Sequence, residues 1–173
     1  HDHAIYIHNA RTYYVEKMEW DRRTAYVREK RVDYYTDAEA SSNIQVLSTD
    51  QEIAAGNNAA LEARRFGDVS VATVVAKFKK VMFETHESIG YGEVSVPQLE
   101  VQTEATWWTL RDDYRAALKE RGHDLSPALQ GLANLLRQAV PVFVMCDPRD
   151  IGVAAMLRAP HDQRPTIYVW DRF

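Results

Sequence analysis

The sequence predicts an α+β fold: an N-terminal antiparallel β meander or barrel-like sheet, then two helices and a closing strand. Three observations predict it. Alternating β-branched and aromatic residues dominate residues 4–110. From Leu110 the apolar period becomes helical. A last apolar run, Thr166 to Trp170, then reads as a buried strand. Strands first and helices afterwards argue against a doubly wound sheet.

A chain of 173 residues fits one domain, 1–173, with a β-rich part over 4–110 and a helical and αβ part over 111–173. Apolar residues make up 46% and charged residues 27%, enough for a real core without marking a disordered chain. No apolar run has the length of a membrane span, and the start "HDHAIYIHNA" lacks the pattern of a secretory signal. It also lacks an initiator Met, so a processed chain or an excised piece is expected.

"AIYIH" (Ala4 to His8) and "TYYVEKMEW" (Thr12 to Trp20) read as strands joined by "NAR". Tyr13, Val15 and Met18 or Trp20 are the inward candidates of the second. After the polar "DRR", alternation resumes through Ala25, Val27 and Val32. "DAEASSN" breaks the pattern, and Ile44 to Thr49 is the next expected strand. "DQEIAAGNNAALEARRFGD" reads as a loop with its turn at Gly56, Asn57 and Asn58. Val69 to Thr85 is β-rich and long enough to demand a bulge or bend. "HESIGYGE" reads as a turn, and "VSVPQLEVQTEATWWTL" as strand with Pro97 at an edge or bend. The first helix ends at Gly122; the second has Ser126 as N-cap, Pro127 at its first position, and an apolar stripe through Leu129, Leu132, Ala133, Leu136 and Ala139 or Val140.

The chemistry-bearing residues are few. Cys146 is the sole cysteine, which excludes an internal disulfide and an all-cysteine zinc site. It follows an apolar run and precedes Asp147, surroundings that raise a thiol pKa, so packing is the favoured role. Asp147, Asp150 and Asp171 stand at strand ends; they can fix turns and helix caps or hold a divalent cation, and turn and cap formation is the favoured reading. No residue is assigned as catalytic and none as a metal ligand. Phosphate-binding loops, dinucleotide fingerprints and nucleophile elbows do not occur. The net charge of −4 gives no general attraction to nucleic acid, but cations cluster locally at Arg22, Arg23, Arg28, Lys30 and Arg31 and again at Lys77, Lys79 and Lys80. Tyr13, Tyr14, Trp20, Tyr26, Tyr34 and Tyr35 lie among them; they suit either base stacking or a core.

Several segments, in order, resemble the C-terminal accessory region of MrfA-like bacterial helicases, superfamily-two DNA helicases with DEAD/DEAH-type motors. They are Ala4-Ile5-Tyr6-Ile7-His8, Tyr14-Val15, Ala25-Tyr26-Val27 and Val32-Asp33-Tyr34-Tyr35-Thr36, followed by "FGDVSVATVVAKFKKV", "ETHESIGYGEVSVPQLEVQTEATWW", "PVFVMCDPRDIG" and "RPTIYVWD". Asn9 to Arg11 depart from the family's glycine in the first hairpin. The family pattern goes on, past the final strand, to a Gly-rich turn, a helix and a four-cysteine zinc cluster. None of those ligands maps onto a residue here, and the ATP-binding motor motifs are absent.

The resemblance implies a non-catalytic accessory domain of an ATP-dependent, DNA-repair-linked helicase, read as part of a longer cytoplasmic protein. ATP and magnesium would belong to the motor domains, and zinc to the further segment, with no cofactor in this region. Expected partners are the motor domains of the same chain and single-stranded DNA, with no membrane. On charge alone, Arg22, Arg23, Arg28, Lys30, Arg31, Lys77, Lys79 and Lys80 are the candidate phosphate contacts. The alternative is a structural or protein-interaction module that makes no nucleic-acid contact.

Overall fold

The computed structural model describes residues 1–56 and 61–172. The chain forms two compact units: His1–Ser42 with Thr73–Leu99, and Asn43–Ala72 with Glu100–Phe173. Among the described residues, mostly antiparallel strands and two helices give the α+β class expected.

The first unit opens with a three-stranded meander. β1 (Ile5–His8), β2 (Arg11–Glu19) and β3 (Thr24–Glu29) pair in that order, both pairs antiparallel. A register shift between Val15 and Lys17 bulges β2 at Glu16. Val15 is buried and Tyr13 and Met18 are half-buried, whereas every residue of β3 is exposed, including Ala25 and Val27 of the alternating run. Neither face of this edge strand is covered, so its apolar residues stay in water. The unit also holds the first part of β4 (Tyr34–Val46), the second part of β6 (Leu61–Met82) and β7 (Ser88–Glu93).

Several segments depart from the expectation; Leu61 to Asp68, expected as loop, open β6, and Val94 to Gln98, expected as strand, precede β8. Asp37 to Asn43 are strand within β4, not a break. Their propensity is poor, but tertiary pairing overrides it. Asp37 and Glu39 meet Lys79 and Lys77 at 3.3 and 2.8 Å, and the Ser42 hydroxyl lies 3.2 Å from that of Thr73. Residues 88–93 are the strand β7, antiparallel to β6, and the expected bulge in the long run falls between Lys80 and Val81. Gln51–Ala54, expected as loop, form β5 against residues 63–66 of β6. Asn57 and Asn58 of the expected turn lie outside the described residues.

In the second unit the strand order is β4-β6-β8-β10-β9, with β5 on β6; β8 is Leu99–Leu110, β9 Ile151–Met156 and β10 Thr166–Asp171. β10 runs antiparallel to both neighbours, and Thr166 to Trp170 are all buried. Its two faces feed two cores. Tyr168 and Trp170 join Trp107, Ala105, Val69, Val71, Ile44 and Ala159. Ile167 and Val169 join Val153, Leu110 and the helix residues Leu125, Leu129 and Ala133. A strand buried on both faces reads as a continuous apolar run, as "TIYVW" does.

The helices are α1 (Asp112–Glu120) and α2 (Leu125–Val144). Gly122 ends α1 at φ 75°, where a residue without a Cβ is unstrained. Its N–H donates to the Lys119 carbonyl and that of His123 to the Leu118 carbonyl, a Schellman pair. α2 begins two residues earlier than expected. Asp124 is its extended N-cap, and Ser126 and Pro127 lie in the first turn, where a missing N–H costs nothing.

One polar cluster is built into this unit. The Tyr168 hydroxyl lies 2.8 Å from His161 Nδ1, and His161 Nε2 lies 3.1 Å from Asp162. The His161 ring meets Trp107 edge-on. Burial first, and the nearby Arg65 cation, lower the His161 pKa, although Asp162 opposes them. A neutral imidazole donating to Asp162 and accepting from Tyr168 satisfies both nitrogens. The depressed pKa stabilises the fold above the ordinary imidazole value of 6.5, and this stability is lost as pH falls through the folded-state value. The urea midpoint is therefore expected to drop on acidification below about pH 6.5, and His161→Gln to flatten that dependence; an unchanged slope in the variant would assign the drop to other groups.

Candidate nucleic-acid interface

All eight sequence-predicted cations lie in the first unit, and the three aspartates in the second. Arg22 and Arg23 occupy the turn between β2 and β3, Arg28 is on β3, and Lys30 and Arg31 follow it. Lys77, Lys79 and Lys80 are on β6.

Their partners divide them. Arg22 meets Glu19 at 3.5 Å, Arg28 meets Glu16 at 2.8 Å, Lys77 meets Glu39 at 2.8 Å and Lys79 meets Asp37 at 3.3 Å. The Glu39 hydrogen bond, and then its charge, raise the Lys77 pKa. A neighbouring carboxylate cancels much of the field a phosphate would feel. Arg23, Lys30, Arg31 and Lys80 make no ion pair among the described residues. Lys30 instead lies 5.1 Å from the centroid of Tyr14 and Lys80 5.8 Å from that of Tyr34, cation–π distances that leave the charge uncompensated.

Arg31 also lines a surface cleft of about 670 Å³ with Ile7, Arg11, Glu29, Val32 and Phe83. Its volume falls within the range of small-ligand sites, roughly 300–1,000 Å³. Arg11 reaches Glu29 only at 3.6 Å, between exposed side chains, a pairing worth little. Phe83 is partly exposed and packs on Tyr35 with ring centroids 5.6 Å apart. Phe83 and Arg11 escaped the sequence reading. Hairpin register places Arg11 opposite His8, but nothing local marks its side chain as a cleft wall. Of the aromatics expected among the cations, Trp20 and Tyr26 are exposed and Tyr13, Tyr14, Tyr34 and Tyr35 are half-buried; Tyr6 and Tyr91 are exposed as well. The arrangement offers unpaired cations beside accessible rings, which is what holds a flexible phosphate chain with unstacked bases.

In the second unit, Asp147 closes the turn into β9 and caps no helix. It accepts from the Arg149 backbone N–H at 2.9 Å and from the guanidinium at 2.8 and 3.0 Å, and these bonds hold its carboxyl at about 2. Asp150 accepts through its carbonyl from Arg172 N–H at 2.8 Å, and Asp171 stands opposite Ile151 in the β10–β9 register. Among the described residues no three His, Cys, Asp or Glu side chains come together as metal donors. Cys146 is half-buried just past the end of α2. With one thiol and no converging donors, the residues here do not fit a zinc site. Among the described residues no helix is long and apolar enough to cross a membrane.

No family model matches the chain. The curated ATP-dependent helicase YprA of Bacillus subtilis (strain 168), itself described as uncharacterized, is 36% identical over 174 residues, which cover 100% of this chain and 22% of the helicase. Crystal structures of the DUF1998 helicase MrfA also match over 100% of this chain. With DNA bound, the TM-score is 0.65 at 35% identity over 22% of that chain. With DNA and AMPPNP the values are 0.59, 33% and 20%. The whole chain thus matches the C-terminal part of ATP-dependent helicases of the YprA and MrfA type, and spans about a fifth of their length.

Proposed function

We propose that the chain is a non-catalytic accessory region of an ATP-dependent DNA helicase, linked to DNA repair, whose first unit contacts the single strand. The match of this whole chain to a part of DNA-bound MrfA carries this reading. In it, motor domains elsewhere in the polypeptide bind ATP and magnesium and do the pulling. Zinc belongs to a segment outside these residues. Arg23, Lys30, Arg31 and Lys80 face phosphates, and exposed rings such as Phe83 meet bases. Arg22, Arg28, Lys77 and Lys79, with their carboxylate partners, contribute less.

The test is titration of labelled single-stranded DNA at several salt concentrations. Converting Arg23, Lys30, Arg31 and Lys80 to Gln is expected to flatten the log–log salt slope by about 0.7 per lost phosphate contact, approaching 3 for all four. The same change at Arg22, Arg28, Lys77 and Lys79 should flatten it less. If the two sets behave alike, ion pairing does not select the contacts.

The carboxylates set against four of the eight cations favour a second reading, in which the region braces the motor domains without touching DNA. Absence of DNA binding at low salt, with cross-links only to the motor domains, would favour it.

A further inference from the structure

α2 carries more apolar surface than its own unit covers. Among its 20 residues the only charged one is Arg137, and its guanidinium donates to the Val153 carbonyl at 2.8 Å. The inward side holds Leu125, Leu129, Ala133, Leu136 and Val140. Leu132, expected in that stripe, turns outward. It belongs to a second row: Ala128, Leu132, Leu135, Ala139 and Val142. Leu135 is 62% exposed, Val142 74% and the adjoining Phe143 84%. Met145, 91% exposed, ends the helix in a left-handed conformation at φ 55°. A contiguous patch of this kind on a helix with no other charge marks a contact surface.

We propose that this outer face of α2 seats an apolar helix from the same helicase polypeptide, outside residues 1–173; this rests on the reading of the chain as one region of a larger helicase. The outer row steps by 4, 3, 4 and 3 residues. That average of 3.5 is the spacing of a seam between nearly aligned helices, and it does not suit a strand, whose side chains alternate by two. A helix lying on lipid carries several Lys or Arg along its polar face, and α2 has only Arg137, whose guanidinium is bonded to the Val153 carbonyl. Nearly four-fifths of the matched helicase lies outside the part that this region covers. A segment tethered in the same molecule competes at an effective concentration on the order of millimolar, which favours it over a second copy.

The test uses the whole helicase polypeptide, with the photo-reactive residue benzoylphenylalanine replacing Leu135 and, as a control, Thr24 on exposed β3. The expected result is an intramolecular link from position 135 to an apolar residue outside 1–173, absent from the control. Links only between two copies, links only within 1–173, or no link at all would overturn the proposal. Single-strand binding is measured on the same samples. If the link fails while salt-dependent binding persists, this inference falls and the proposed function stands; if both fail, the functional reading falls with it.

Discussion

Trp107→Ala is expected to destabilise the second unit by about 3–5 kcal/mol, the usual cost of deleting a fully buried tryptophan. Trp107 is 0% exposed and stands opposite Tyr168 in the β8–β10 register. Its ring lies 6.1 Å from those of Tyr168 and His161, so its loss removes the shared wall of the His161 cluster as well as apolar area. Domains of this size hold only about 5–15 kcal/mol in total, so urea unfolding should show a large fall in midpoint. One feature softens the loss. The buried indole Nε1 has no hydrogen-bond partner among the described residues. An orphan donor of this kind costs about 1–3 kcal/mol, which the alanine no longer bears. Trp107→Phe keeps most of the ring and drops the orphan N–H, so its cost should be the smaller by several-fold. If the phenylalanine variant were as unstable as the alanine variant, the indole N–H would have to be bonded after all.

The parts of this fold legible from sequence are those whose causes are local. "TIYVW" is apolar at every position because β10 is buried on both faces. Gly122 ends α1 because its backbone conformation is left-handed. The parts that misled are set by partners far along the chain. Asp37 and Glu39 are poor strand residues, held in β4 opposite lysines of β6 some forty positions away. Leu132 and Leu136 fit one helical stripe, but that stripe is wider than the core contact: Leu136 packs against the core and Leu132 lies past its edge.

The same limit applies to the candidate interface. Charge runs mark where the cations are, but their partners decide which charges are free. "REKR" holds Arg28, Glu29, Lys30 and Arg31. Arg28 is tied to Glu16 and Glu29 faces Arg11, while Lys30 and Arg31 have no carboxylate partner among the described residues. Neither Glu16 nor Arg11 can be assigned to these partners without the β2 bulge and the hairpin register. For this reason the cation sets compared in the DNA titration cut across the sequence clusters.

Gly152→Val should cost about 3 kcal/mol or more, at the upper end of overpacking effects. Gly152 on β9 stands directly opposite Trp170 on β10. A Cβ placed there would come within 3.0 Å of Cε2, Cζ2 and Nε1 of the indole. Trp170 is only 6% exposed and lies in the first core with Trp107 and Tyr168, so the ring has no free side to move towards. Relief must come from separating β9 from β10 or from displacing the packed core, and either breaks contacts well beyond the substituted site. Two comparisons isolate the clash from general glycine effects. Gly131 on exposed α2 has nothing within 4 Å of its would-be Cβ, so Gly131→Ala should stabilise, by about 0.5–1 kcal/mol. Gly152→Ala paired with Trp170→Leu should be less damaging than the sum of the two changes, because the smaller side chain vacates the space the new methyl needs. Strict additivity in that thermal-melt cycle would mean that the glycine is needed for its backbone and not for the indole that lies across it.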